Sequence, residues 1–475
     1  MAEDKSTGSG GLGSILNVIE VLIIEHWGKI IILALVYFAW KFNLEKEIFS
    51  LVGVAILGRI AWVVWVHYIQ QDFISGITYV LLEIVPPREV LRNPRSMELF
   101  ISNALYHQSG KGGREEFWQG ATHFWFSLEI ASIDGQVHFY VRTPSRIKTL
   151  IETQMYAQYP QAQVKIVEDY TLAVDEISER SKWMAWGCEF KLEKPSAYPI
   201  KTYIDYGLDK DPKEELKIDP ISPVIEFFGS LEKGEQAWVQ IVVAASHPDN
   251  TIKKHNWVEE SRNELLKLLL PYTSARKEQE GEAVIKASRI EVRVPAFLDR
   301  AVKAMSAKTS KLGFETGIRV VYVAKKDVYA VNRRKDIRLI FRQYNAPDVN
   351  SLVRHNSAQG DALNSAILGL SPKQVMILAD RMVHEYRERA FFHLPMRHHL
   401  FSIHMFETFF PKPILHAIVM FIVKPFFLPY VHHETFVLNT EELATLWHFP
   451  GQILKVPTLE RVESKEASPP TNLPA

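Results

Sequence analysis

Two apolar runs stand close together near the N-terminus, Trp27–Phe42 (WGKIIILALVYFAWKF) and Ile48–Tyr68 (IFSLVGVAILGRIAWVVWVHY), after a polar, Gly/Ser-rich stretch over residues 1–13 that predicts disorder. A helix needs about 20 residues to cross a hydrocarbon core ~30 Å thick. The pattern therefore predicts a membrane anchor over residues 14–70, a transmembrane helical hairpin turning at Asn43–Lys46. One spanning helix beside an interfacial one is the alternative. Trp27, Trp40 and Trp65 fall near the ends of the runs, where indole rings favour the lipid–water interface. Arg59 falls mid-run, where a charge costs about 2.5–3.5 kcal/mol on insertion scales, so a partner such as Glu25 is expected. The basic flank Arg88, Arg92 and Arg95 places the body on the cytoplasmic side of a cell membrane, with membrane lipid as a partner.

Beyond the anchor the period changes. Tyr79–Val85 predicts a strand, and Asn93-Pro94 opens a helix with Met97, Phe100, Ile101, Ala104 and Leu105 on one face. Strands Phe124–Ile133 and Gln136–Arg142 flank Asp134-Gly135, a tight-hairpin signal. A helix carrying Ile147, Leu150, Ile151 and Met155 follows, then a strand over Gln163–Glu168. The order βαββαβ predicts a ferredoxin-like α+β domain over 79–170.

Residues 183–350 predict a second, interrupted α+β domain. A helix from Ser222-Pro223 leads to strand Ala237–Ala245, and a later helix opened by Pro295 leads to strand Gly317–Ala324. Residues 371–452 begin with a helix at Ser371-Pro372 and continue as an aromatic, His- and Pro-rich region. Its apolar segment 414–430 is broken by Lys424, Pro425 and Pro429, which fits an interfacial segment or a buried loop. Residues 459–475 are linker-like. The fold class expected is α+β behind an N-terminal helical hairpin.

Charge modifies this picture little. Lys+Arg and Asp+Glu number 55 each, which argues against a chain built mainly to grip nucleic acid. Cys188 is the single cysteine and excludes an intrachain disulfide. One local basic feature remains. Arg334, Arg338 and Arg342 recur every four residues, beside Arg333 and Lys335, and form a candidate contact for nucleic acid or anionic lipid. A solvated helix face is the plainer reading of the same spacing.

Motifs for chemistry are sparse. Ser109-Gly110-Lys111-Gly112-Gly113 lacks the upstream Gly and the following hydroxyl of a phosphate loop, and reads as a flexible connection before a strand. His384-Glu385 resembles a zinc-protease pair, but Glu388 stands where the second His belongs. The histidines His393, His398, His399, His404, His416, His432 and His433 are irregularly spaced and unaccompanied by cysteine, which favours aromatic packing over zinc. The sequence thus predicts no enzyme, no cofactor and no metal. A metal hydrolase built on His384 and Glu385 is the weakest alternative.

Several strings are similar to the region ahead of the motor in bacterial type IV secretion and conjugative-transfer ATPases. They are FSLEIASIDGQVHFYVRT (126–143), IETQMYAQYPQAQ (151–163), KGEQAWVQIVV (233–243), residues 313–324, and FVLNTEELATLWHFPG (436–451) with its tail. That region is itself a domain of unknown function. In those ATPases the tail leads into a nucleotide-binding domain, whereas no Walker motif occurs in these 475 residues. The resemblance implies a membrane-anchored, homo-oligomeric scaffold of a transfer machine that docks a separate Walker-type ATPase. Nucleic-acid handling through residues 333–342 is the alternative.

Overall fold

A computed structural model describes residues 45–87, 90, 92–107, 113–210, 218–246, 256–275, 290–292, 294–358, 372–393 and 433–451. The chain divides into two compact units, Met1–Tyr68 and Ile69–Ala475.

In the first unit the structure corrects the expected anchor. One helix, α1 (Glu45–Ser75), covers the second apolar run and continues past the end of this unit. No helix among the described residues is long and apolar enough to cross a membrane, so the transmembrane hairpin is not supported. The chemistry of the run shows why. Glu45, Lys46 and Glu47 open the helix, Gln70, Gln71 and Asp72 precede its end, and an exposed Arg59 divides the apolar residues between them. Each uninterrupted apolar segment is then well short of the ~20 residues a span requires. Trp65 is 43% exposed on this helix. Trp27, Trp40 and the expected first helix lie outside the described residues, as does the 414–430 segment.

The second unit is α+β and is organised by one large antiparallel sheet. Its first half comprises β1 (Tyr79–Val85), α2 (Pro94–Ala104), a short α3 (Gly113–Trp118), β2 (Phe126–Ile133), β3 (Gln136–Pro144), α4 (Lys148–Gln158) and β4 (Gln163–Val167). Its second half comprises β5 (Trp183–Leu192), α5 (Ser222–Gly229), β6 (Glu235–Ala245), α6 (Trp257–Leu269), β7 (Thr273–Ala275), β8 (Ile290–Val292), α7 (Ala296–Thr309), β9 (Gly313–Lys325), α8 (Arg333–Ile337) and β10 (Leu352–Ser357). Helix α9 (Pro372–Glu388), strand β11 (Phe436–Asn439) and helix α10 (Thr440–Leu446) complete the unit.

The strand order is β10-β5-β9-β6-β2-β3-β1-β4, with β11 added beside β9. Two expected domains are therefore halves of one sheet. The first half has the order β4-β1-β3-β2, and the second has the matching order β10-β5-β9-β6. Each is a βαββαβ unit. They join edge to edge where β2 pairs β6, from Phe126↔Val243 to Ile133↔Gln236. In the first half the middle strands are joined by the Asp134-Gly135 turn, with φ of 54° and 84°. In the second the same connection is opened into an arm, α6-β7-β8-α7. That insertion is why the second half reads as interrupted in sequence.

Alternation along the strands assigns the two faces. Phe139 points to one face, where it meets Trp447 at 5.9 Å and Phe449 at 5.3 Å between ring centroids. Helices α2 and α4 contribute Phe100, Ile101, Ile151 and Met155 to the same core. Tyr140, the next residue, points to the other face and stacks on Tyr170 at 4.8 Å. Every residue of β6 is buried, as is all of β9 except Lys325. Both faces of the sheet centre are thus covered.

Candidate functional site

Five strands carry a single polar or charged residue inside an otherwise apolar stretch: Leu-Glu83-Ile, Leu-Glu129-Ile, Val-Gln240-Ile, Ile-Arg319-Val and Cys-Glu189-Phe. The registers place them in one row. Lys165 opposes Glu83, Glu83 opposes Tyr140, Tyr140 opposes Glu129, and Glu129 opposes Gln240. Gln240 opposes Arg319, Arg319 opposes Glu189, and Glu189 opposes His355. Directly opposed residues share a face, so a polar band crosses the whole sheet. Its centre is buried: Glu129, Gln240 and Arg319 are 0% exposed, and Glu189 is 1%.

Helix α9 and the residues after it cover this band. Two glycines let them sit close. A Cβ on Gly187 would lie 2.7 Å from Met382 Cγ, and one on Gly317 would lie 2.3 Å from the Phe391 ring. Arg389, just past the helix, has φ of 53°. This left-handed conformation, costly for a non-glycine residue, turns its side chain back towards β2.

Two ion clusters result. In the first, Arg389 grips Glu129 with Nε to Oε1 at 2.9 Å and Nη2 to Oε2 at 3.0 Å, and its Nη1 donates to Asp169. Tyr170 donates its hydroxyl to Glu129 at 2.8 Å, and Gln240 donates to Glu129 and to the Tyr386 carbonyl. Burial alone would weaken the guanidinium, but Glu129 and Asp169 outweigh it and raise the Arg389 pKa well above its ordinary value. For Asp169, burial is likewise outweighed by Arg389 and Thr171, which lower its pKa. Burial and Glu129 together push the Tyr170 and Tyr386 phenols up.

In the second cluster, Glu189 accepts from Arg319 Nη2 at 2.6 Å, from Asn356 Nδ2 at 2.7 Å, and lies 2.7 Å from His433 Nδ1. Glu385 accepts from Arg381 Nε at 2.7 Å and lies 3.3 Å from His433 Nε2. Burial opposes charge on Glu189, yet His433 and Arg319 prevail and hold its pKa at about 2. Burial also opposes charge on His433, but Glu189 and Glu385 raise its pKa to about 9.

The remaining sequence candidates do not converge here. His384 points away, 3.9 Å from Glu388, while its neighbour Glu385 is 1% exposed. Among the seven histidines, His433 joins the cluster, the His393 ring lies tilted 5.8 Å from that of Trp125, and the other five lie outside the described residues. Residues 109–112 of the glycine-rich stretch are also outside them, and Gly113 opens a short helix rather than a strand. The basic helix is short. Helix α8 ends at Ile337, and Arg342 begins a separate 3-10 turn, so the four-residue repeat is not carried on one helix. Arg333 donates to the Ser230 carbonyl, Arg334 to Tyr329, and Arg338 to the Arg334 carbonyl, whereas Lys335 and Arg342 are exposed.

A family model described as a domain of unknown function, DUF8128, matches residues 114–398, more than half of the chain. The chain belongs to this family. The DUF8128 match contains Glu129, Asp169, Glu189, Gln240, Arg319, Glu385 and Arg389, so both clusters are built mainly from it. It leaves out β1, which sits between β3 and β4, and His433 with β11 and α10. The folded sheet of this DUF8128 protein is therefore larger than the matched segment. No curated protein matches the chain.

The band was missed in sequence, although its signal was present. One charged residue at the middle of an apolar strand is costly unless paired. Four such strands, and a fifth with Gln240, point to partners across a shared sheet. Arg389 and His433 carried no comparable signal, because they lie beside helix and loop sequence.

Proposed function

We propose that the chain is a non-catalytic scaffold of a type IV secretion-like transfer machine, and that it docks a separate Walker-type ATPase through the α6–α7 arm. The observation that carries this reading is the apolar surface of the arm. Leu266 is 63% exposed, Leu270 70% and Phe297 71%. The pairing Thr273↔Val292 brings Leu270 and Phe297 to the same end of the arm. Large apolar side chains grouped in this way mark association surfaces. The buried clusters fit the same reading, since Arg389, Glu129 and Asp169 engage one another and seat α9 on the sheet. The resemblance to proteins that carry a similar body ahead of a motor supplies the class of partner.

The test is co-elution of the purified chain with a Walker-type ATPase from the same genome, sought first among the neighbouring genes. The wild-type chain is expected to co-elute and to alter turnover. Leu266→Asp with Phe297→Asp is expected to abolish both while leaving the circular dichroism spectrum unchanged. Robust ATP hydrolysis by the chain alone would contradict the proposal. So would salt-sensitive binding of DNA lost on Arg342→Ala, which would favour nucleic-acid handling.

A further inference from the structure

The second cluster contains one buried ring nitrogen that hydrogen bonding does not satisfy. His433 Nδ1 faces Glu189 Oε1 at 2.7 Å in a normal hydrogen bond. His433 Nε2 is buried and makes no hydrogen bond, although Glu385 Oε2 lies only 3.3 Å away. That contact falls outside hydrogen-bond geometry, and Oε2 also accepts from Arg319 Nη2 at 3.5 Å. The His433–Glu385 contact has the right length for something else. Two ligands of a tetrahedral zinc ion, at about 2.0–2.2 Å from the metal, are separated by about 3.3–3.5 Å. Glu189, Glu385 and His433 offer ligand atoms that all lie within 4.8 Å of one another, and all three residues are buried. Histidine ligands to metals regularly donate their other ring N–H to a carboxylate, which fixes the tautomer and the ring orientation. Glu189 stands in that relation to His433, and is itself held by Arg319 and Asn356.

We infer that His433 Nε2 and the Glu385 carboxylate are ligands of a divalent transition-metal ion of the zinc class, with Glu189 as the positioning residue on Nδ1. Imidazole with carboxylate suits zinc and its first-row neighbours rather than calcium or magnesium. All three side chains are buried, so an ion held there ties the segment after residue 432 to α9 and β5. Remaining coordination positions fall to water or to further side chains. The inference is independent of the docking proposal, because no residue of the α6–α7 arm takes part.

The untagged full chain, stripped with chelator and offered Zn²⁺, tests it by metal analysis after gel filtration. One equivalent per chain is expected. Glu385→Gln and His433→Ala are each expected to lower affinity more than 100-fold. Glu189→Gln is expected to lower it about 10–100-fold, as for other groups that orient a ligand. His384→Ala should bind like wild type. Co²⁺ offered to the wild-type chain gives a second readout that needs no variant to fold, namely the intense visible bands of low-coordinate cobalt with a nitrogen ligand. Wild-type chain that retains no stoichiometric Zn²⁺ and shows only hexaaqua-like Co²⁺ overturns the inference, and the cluster is then an imidazolium clamped by two carboxylates. Full metal retention by both Glu385→Gln and His433→Ala overturns it as well, by placing the ion among other histidines.

Discussion

Arg389 and Glu129 show what one buried ion pair contributes here. Both are at most 1% exposed and meet through two parallel hydrogen bonds. Removing one partner strands the other charge in the interior, at a cost of about 3–5 kcal/mol. Arg389→Ala should therefore lower the urea midpoint strongly. The double variant Arg389→Met with Glu129→Leu should recover part of the loss, because the only carboxylate it leaves without Arg389 is Asp169, which is a quarter exposed. If Arg389→Ala unfolds at the wild-type midpoint, the cluster does not clamp α9. Gly317 acts through space rather than charge. A methyl group there collides with Phe391, so Gly317→Ala should destabilise by about 1–3 kcal/mol, the usual range for overpacking. At the edge of the band, Glu83 is held below its ordinary value of 4.5, first by the hydrogen bond from His138 and against its burial. A lowered carboxyl pKa stabilises the fold above pH 4.5 and loses that contribution as pH falls through the folded value. Stability curves of wild type and Glu83→Gln should differ at pH 7 and converge towards pH 3. A gap that persists at pH 3 would assign the effect to packing.

Elements with a clear period were legible from sequence, and those defined by long-range pairing were not. Strand β1 stands at Tyr79–Val85 and α2 at Pro94–Ala104, where the apolar run and the Asn93-Pro94 start put them. Strand β9 begins at Gly313, earlier than its apolar run suggests, because β11 pairs with Gly313–Thr316. Nothing local marks β10 (LVRHNS), whose partner β5 lies more than 150 residues away in sequence. The polar positions looked like isolated flaws in apolar strands until registry aligned them. Helix α10 is a further case. Asn439 and Glu442 form a capping box, a strong local signal. Its role is nonlocal. Trp447, just past it, is 0% exposed, stacks on Phe100 at 6.4 Å and donates to the Glu129 carbonyl at 3.2 Å. Trp447→Ala should cost about 3–5 kcal/mol and expose the α2 face, read as a lowered midpoint with increased binding of an apolar dye. An unchanged midpoint would mean that the C-terminal segment only lies on the body.

At the scale of the molecule, two βαββαβ halves share one sheet through the β2–β6 seam, and only the second carries an arm. The sheet centre is sealed on both faces, so the proposed activity is assigned to the arm, where large apolar side chains meet solvent. Hydrogen exchange of the full chain, with and without the Walker-type ATPase, tests that assignment most directly. The account predicts new protection over residues 257–272 and 294–309, with the β2–β6 seam slow to exchange in both states. Protection confined to residues 333–344, or no change anywhere at saturating ATPase, would contradict it.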